Sequence, residues 1–253
     1  MNRIIPVLLL AGKGVIKTKR FSARTYIGDP INAVRIFNEK EVDEIIILDI
    51  EATPQGRDPE YGLIQEIVSE AFMPVCYGGG INSVEQASAL IRSGVEKVSL
   101  NTSALINPKL ICDLAYELGS QSVVGSIDVK KSLFSKYQVV TRCGSQKQRV
   151  DLIEYAKNLE SAGVGEIMIG SIDRDGTQSG YDLQLVKSVS DAVSVPTIAV
   201  GGAKELADFS EVINLAGASA AAAGSAFVYY GKFNAVLINY PSQAELQSAI
   251  SNR

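Results

Sequence analysis

Two stretches of this 253-residue chain constrain its fold more than any others. Met73-Pro-Val-Cys-Tyr-Gly-Gly-Gly80 and Val195-Pro-Thr-Ile-Ala-Val-Gly-Gly-Ala203 are each an apolar run entered through proline and left through adjacent glycines. That is the pattern of a buried parallel strand opening into a tight loop. At an offset of 122 residues Pro196 falls on Pro74, Gly201-Gly202 on Gly79-Gly80, and Gly165-Glu166-Ile167 on Asp43-Glu44-Ile45. With one residue inserted, Ala216-Gly217-Ala218 continues on Ser93-Gly94-Val95 and Gly224-Ser225 on Asn101-Thr102. The chain reads as two copies of one half, about 1–121 and about 122–240. So long a period excludes solenoids and propellers, and each half holds about four strand-then-helix units. Four and four parallel units predict an α/β fold, a closed (β/α)8 TIM barrel spanning 1–253 as one domain, the usual size for that fold. A doubly wound open sheet, the alternative, has no need of a second half that repeats the first.

Strands are expected at Ile4–Leu10, Glu44–Ile50, after Met73, at Lys97–Leu100, Ser122–Asp128, Glu166–Ile172, after Val195 and at Ala220–Ala223. Asp29 before Pro30, and Ser83, carry helix N-cap signals. Residues from Gly12 to Gly28 read as a long loop, Val129 to Gly144 as a hairpin over the barrel mouth, and the tail from Pro241 as a peripheral helix.

Composition removes several classes of function. With 46% hydrophobic residues and no apolar run near 18 residues, the chain reads as a cytoplasmic globular protein with no membrane span or secretory signal. Cys76, Cys112 and Cys143 are widely spaced and form no C-x-x-C pair, which argues against disulfides and zinc. Histidine is absent, so Ser-His and Cys-His nucleophile pairs and imidazole metal ligands are excluded; proton transfer falls to carboxylates, lysine, cysteine or tyrosine. A net charge of -4 with interspersed signs offers no nucleic-acid stripe. A small-molecule ligand is expected, with no metal or cofactor.

In such a barrel the functional groups lie at the C-terminal ends of the strands. Gly80 with Asn101 and Thr102, and Gly202 with Gly224 and Ser225, repeat one device: glycine loops exposing N–H groups beside a helix start, with a hydroxyl nearby. Such a cluster suits phosphate, and two copies suggest a ligand phosphorylated at both ends. The plainer reading is that the glycines only turn the chain. Asp49, Asp128 and Asp175 also fall at strand ends, as general bases or as partners of loop amides and ligand hydroxyls; Asp128 is the strongest catalytic candidate. At the opposite ends stand Arg3, Glu44, Lys97 and Glu166, two of each sign, which permits either a solvated rim or a closed ring of salt bridges.

Together these residues resemble the cyclase subunit of imidazole glycerol phosphate synthase over Arg3 to about Phe233, through Arg3-Ile-Ile-Pro6, Gly78-Gly-Gly-Ile81, Asn101-Thr102 and Ser171-Ile-Asp-Arg-Asp-Gly-Thr-Gln-Ser-Gly-Tyr-Asp182. The resemblance implies a partner glutaminase docked at the barrel bottom, with ammonia passing through the barrel to a bis-phosphorylated substrate. It assigns Arg3, Glu44, Lys97 and Glu166 to a charged ammonia gate and Glu96 to a position facing the glutaminase. It places phosphate at Gly80, Asn101 and Thr102 on one side and at Asp175, Gly176, Gly202, Gly224 and Ser225 on the other. The family's cyclase uses aspartates on strands one and five; the second matches Asp128, whereas the first position is Leu9. An aliphatic side chain neither takes nor delivers a proton, and losing one such group costs about 10²–10⁴-fold. The combination looks like paralogues associated with surface-polysaccharide biosynthesis, in which a similar barrel and glutaminase supply ammonia to a separate sugar amidotransferase. Two further readings stay open: a working cyclase of histidine biosynthesis with Lys17, Lys19 or Asp49 as substitute base, and a scaffold that only activates the glutaminase.

Overall fold

Eight parallel strands close into a barrel in the computed structural model, which describes residues 2–132 and 136–251. They are β1 (Arg3–Ala11), β2 (Ile45–Asp49), β3 (Val75–Gly78), β4 (Lys97–Leu100), β5 (Val123–Lys131), β6 (Glu166–Ser171), β7 (Thr197–Val200) and β8 (Ala220–Ala223). Each pairs in parallel with the next, and β8 pairs with β1. The main helices are α1 (Pro30–Glu39), α2 (Tyr61–Glu70), α3 (Val84–Arg92), α4 (Pro108–Leu118), α5 (Leu152–Ala162), α6 (Leu183–Ser190), α7 (Leu206–Asn214) and α8 (Gln243–Ser251).

The strands read as continuous apolar runs because both their faces are buried: one turns to the helices, the other into the barrel. Inward residues Ile5, Val7, Ile46, Cys76, Val124, Met168, Ile198, Ala220 and Ala222 form one apolar cluster, extended by Leu9, Leu48 and Val200. The outward residues join the larger core beneath the helices. Helix starts follow the sequence signals. The Asp29 carboxylate accepts from the Asn32 N–H at 2.9 Å before Pro30, and Ser83 Oγ accepts from the Gln86 N–H at 3.3 Å.

The segment expected to be a long loop is instead an antiparallel ribbon, Gly14–Lys19 with Ser22–Gly28, attached to β1. Arg20 and Phe21 both have positive φ, 55° and 59°, the two-residue turn whose twist suits a hairpin. The expected hairpin after β5 is present: Asp128–Lys131 pair antiparallel with Tyr137–Thr141, while residues 133–135 lie outside the described residues. Its turn end, where Lys131 pairs with Tyr137, is held by Asp182, which accepts from Tyr137 OH at 2.9 Å and pairs with Lys131 Nζ at 2.9 Å. The tail helix α8 packs on α7, and Tyr240 before it donates to the Ile4 carbonyl at 2.8 Å.

Candidate functional site

The C-terminal ends of the strands surround a cavity of about 720 Å³. Its floor is mostly aliphatic, with Val7, Leu9, Leu48, Met168 and Val200, because these positions continue the inward row of each strand. Asp128 enters that floor from β5. Asn101 Nδ2 donates to Asp128 Oδ2 and to the Ser126 carbonyl, both at 3.2 Å. Burial pushes the Asp128 carboxyl up to about 7, and the nearby Asp175 charge adds to the effect. A group titrating near neutrality is suited to exchanging protons. Leu9 faces the same cavity and brings no such group.

The two glycine corners lie on the cavity wall. At Gly79 φ is 120° and an added Cβ would overlap the Asp49 carbonyl; at Gly202 φ is 112° and it would overlap the Gly180 carbonyl. Both turns therefore require glycine. Gly80, Asn101 and Thr102 line one part of the wall, where a helical turn begins at Thr102; Gly176, Gly202, Gly224 and Ser225 line another, where a second begins at Ser225. All seven open on one cavity. Two groups already have protein partners: the Gly80 N–H donates to Thr53 Oγ1 at 3.3 Å, and Thr102 Oγ1 accepts from the Arg142 N–H at 3.0 Å.

Asp49 and Asp175 both have protein partners, as the loop-amide reading of these strand-end carboxylates has it. Asp49 accepts from the Glu51 and Ala52 N–H groups at 3.0 and 3.1 Å and pairs with Arg57 at 2.8 Å, so it holds its own loop. Asp175 accepts from Thr18 Oγ1 at 2.8 Å and the Phe21 N–H at 3.2 Å, fastening the β1-linked ribbon across the mouth.

Lys17 is buried on that ribbon, its Nζ donating to the Val7 carbonyl and lying against Gly224. Burial lowers it to about 8, with Asp175 opposing the shift. Arg57 and Arg142 also line the cavity, and no motif in the sequence singled them out.

At the other end of the barrel the four charges close a ring. Arg3 Nη1 meets Glu44, Arg3 Nη2 meets Glu166 at 2.8 Å, and Lys97 Nζ meets Glu44 at 3.0 Å and Glu166 at 3.3 Å. The Glu44 side chain is only 3% exposed, so its charge depends on both partners. Glu96 is exposed beside Lys97 on the same end.

A sequence model described as "Histidine biosynthesis protein" matches residues 3–234. The chain belongs to the histidine biosynthesis protein family. It is 50% identical over 245 residues to the "Putative imidazole glycerol phosphate synthase subunit hisF2" of Pseudomonas aeruginosa, covering 97% of this chain and 98% of that protein. It is 49% identical over 250 residues to the corresponding subunit hisF3, also named "Putative", of Vibrio vulnificus, covering 98% and 96%. Identity to the imidazole glycerol phosphate synthase subunit HisF of Alkaliphilus metalliredigens is 40% over 228 residues, 90% of each chain. Within this histidine biosynthesis family member no described helix is long and apolar enough to cross a membrane.

Proposed function

We propose that this barrel is the ammonia-conducting subunit of a glutamine-dependent assembly, with its own cyclase chemistry lost or much reduced at Leu9. A glutaminase docks on the end that carries Glu96 and the ring of Arg3, Glu44, Lys97 and Glu166. Ammonia passes the ring and the apolar bore to the cavity at Asp128. The acceptor is a phosphorylated, sugar-type molecule in the cavity or a sugar amidotransferase seated beyond it, as in surface-polysaccharide biosynthesis. The observation that carries this reading is the pairing of a closed charged ring at one end with a floor where Asp128 faces Leu9 rather than a second acid.

The wall is suited to a ligand bearing two phosphates. Gly80, Asn101 and Thr102 hold one, with Arg142 above them; Gly202, Gly224 and Ser225, with the backbone at Asp175 and Gly176, hold the other beside Lys17. Helix starts and exposed N–H groups favour anions at both places.

A second reading, a working cyclase, draws on one observation: Lys17 is buried in the cavity wall and lowered to about 8, which makes it able to serve as a base. The Asp49 alternative is weaker, since its carboxylate is paired with Arg57. The conduit is tested with the purified complex of this chain and its glutaminase, following amide nitrogen of labelled glutamine into the amidated product. Ala222→Phe fills the bore; it should abolish transfer from glutamine while leaving glutaminase stimulation intact. Unchanged transfer in that variant would mean that the barrel only activates its partner.

A further inference from the structure

Among the described residues ten large hydrophobic side chains are exposed, and four of them fall within eight consecutive positions: Tyr230 at 63%, Phe233 at 91%, Val236 at 48% and Leu237 at 53%. The others are scattered along the chain and need no explanation. The cluster belongs to a small antiparallel hairpin, Tyr229–Tyr230 with Ala235–Val236, which pairs Tyr229 with Val236 and Tyr230 with Ala235. Two such pairs are too few to hold a hairpin in water by themselves. Its root supplies the hold. The Leu237 N–H donates to the Val228 carbonyl at 3.0 Å and the Asn239 N–H to the Phe227 carbonyl at 2.9 Å. The Phe227 ring packs on Phe209 and on Tyr240, with centroids 5.5 and 5.0 Å away. Phe227 and Val228 end the helical turn Ser225–Val228, which begins on the cavity wall. The root is thus tied to the wall of the cavity while the apolar tip stands in water.

Charge narrows what can cover that tip. From Val212 to Ala244 the only charged residue is Lys232, between the two strands of the hairpin. A contact between two copies of the hairpin would be isologous, each tip laid on the other. It would bring two Lys232 ammonium groups together with no carboxylate from the same element to answer them, and like charges so placed are costly. A surface of different sequence, apolar at its centre and acidic at its rim, suits both the side chains and the charge.

We propose that the hairpin Tyr229–Val236 is the grip for a second partner protein, the sugar amidotransferase that accepts the ammonia, which takes Tyr230 and Phe233 into an apolar pocket and Lys232 onto a carboxylate beside it. This rests on the conducting role proposed above. In that role the glutaminase occupies the ring end, and ammonia leaving the cavity needs an acceptor held against the cavity wall before solvent dilutes it. Phe233, the most exposed of the four, is the anchor, since a few buried aromatic side chains carry most of the energy of an interface. Lys232 sets the register of the approach.

The test uses the purified complex of this chain and its glutaminase with a sugar amidotransferase that is active on free ammonium. It reads binding of the amidotransferase by sedimentation and passage of labelled glutamine nitrogen into the amidated sugar. Phe233→Ala and Lys232→Glu should each weaken binding at least about tenfold and lower glutamine-driven amidation in step, with glutaminase stimulation and amidation from free ammonium unchanged. Tyr116→Ala, which removes an aromatic side chain 93% exposed on α4, should leave binding as it is. Equal binding by both hairpin variants, or no binding by wild type while glutamine nitrogen still reaches the sugar, would overturn the grip and leave conduction intact. Binding without any glutamine nitrogen in the product would overturn conduction instead. Wild-type chain that sediments as a dimer, or with phosphatidylglycerol vesicles, and ceases to do so in Phe233→Ala would give the tip to a second copy or to lipid and overturn the proposal.

Discussion

Asp128 and Lys17 are two cavity groups whose charge is opposed by burial, and each makes stability depend on pH in its own direction. The folded Asp128 titrates at about 7, against about 3.9 for an unfolded aspartate. Between those values the folded chain keeps a proton that the unfolded chain has released. Stability from this group is therefore present below about pH 4 and lost as pH rises through 7. Asp128→Asn should stabilise the protein at pH 8 by on the order of 2 kcal/mol or more and leave it nearly unchanged at pH 4, as read by urea unfolding. An equal gain at both pH values would show that burial of charge is not the cause. Lys17 shifts the other way, down to about 8 from near 10.4. Its charged form carries the burial cost at pH 7, and that cost falls away above pH 8. Lys17→Met should therefore stabilise the chain at pH 7 and progressively less toward pH 10.

At the scale of elements, the ring at the strand starts and the glycine corners at the strand ends are the parts that cannot be exchanged. Glu44 receives both Arg3 and Lys97 in a nearly closed environment. Glu44→Ala leaves two cations short of a partner and should cost about 3 kcal/mol or more in urea unfolding; a loss under about 0.5 kcal/mol would place the ring among ordinary surface pairs. Gly202→Ala meets both a positive φ and the Gly180 carbonyl, so a loss of about 2 kcal/mol or more is expected, together with loss of phosphate binding. Gly28→Ala meets nothing within 4 Å and should stay within about 0.5 kcal/mol.

The same elements show what could be read before folding. The glycine corners and the four ring charges were legible because the half-chain repeat fixes where strands begin and end, and strand ends fix what faces the cavity. The ribbon at Gly14–Gly28 was not. Val15, Ile16, Lys17 and Thr18 are all buried and Ser22 to Tyr26 all exposed, so neither strand shows the alternation that marks a strand in sequence. Lys17 was named only as one of three substitute bases, level with Lys19, because nothing in the sequence marks which lysine is buried and lysine is nearly always solvated. Asp49 and Asp175 were left open between ligand and loop amides, because a carboxylate at a strand end can face either and only the surrounding N–H groups decide; both accept from loop amides.

The whole molecule is a barrel with two differently equipped ends: a closed charged ring below, a cavity lined by glycine corners and by Lys17, Arg57 and Arg142 above, and a largely apolar bore between them. Family membership explains the architecture, and in the function proposed here the step lost is the one that a second acid would perform where Leu9 stands in the cavity with Asp128. The most direct measurement is turnover of the bis-phosphorylated cyclase substrate by the purified chain with excess ammonium, run beside Leu9→Asp. A conducting subunit without cyclase chemistry predicts that wild type is at least about 10²-fold slower than a typical enzyme rate near 1 s⁻¹ and that Leu9→Asp gains activity. Full turnover by wild type would contradict it and make Lys17 the base to test next.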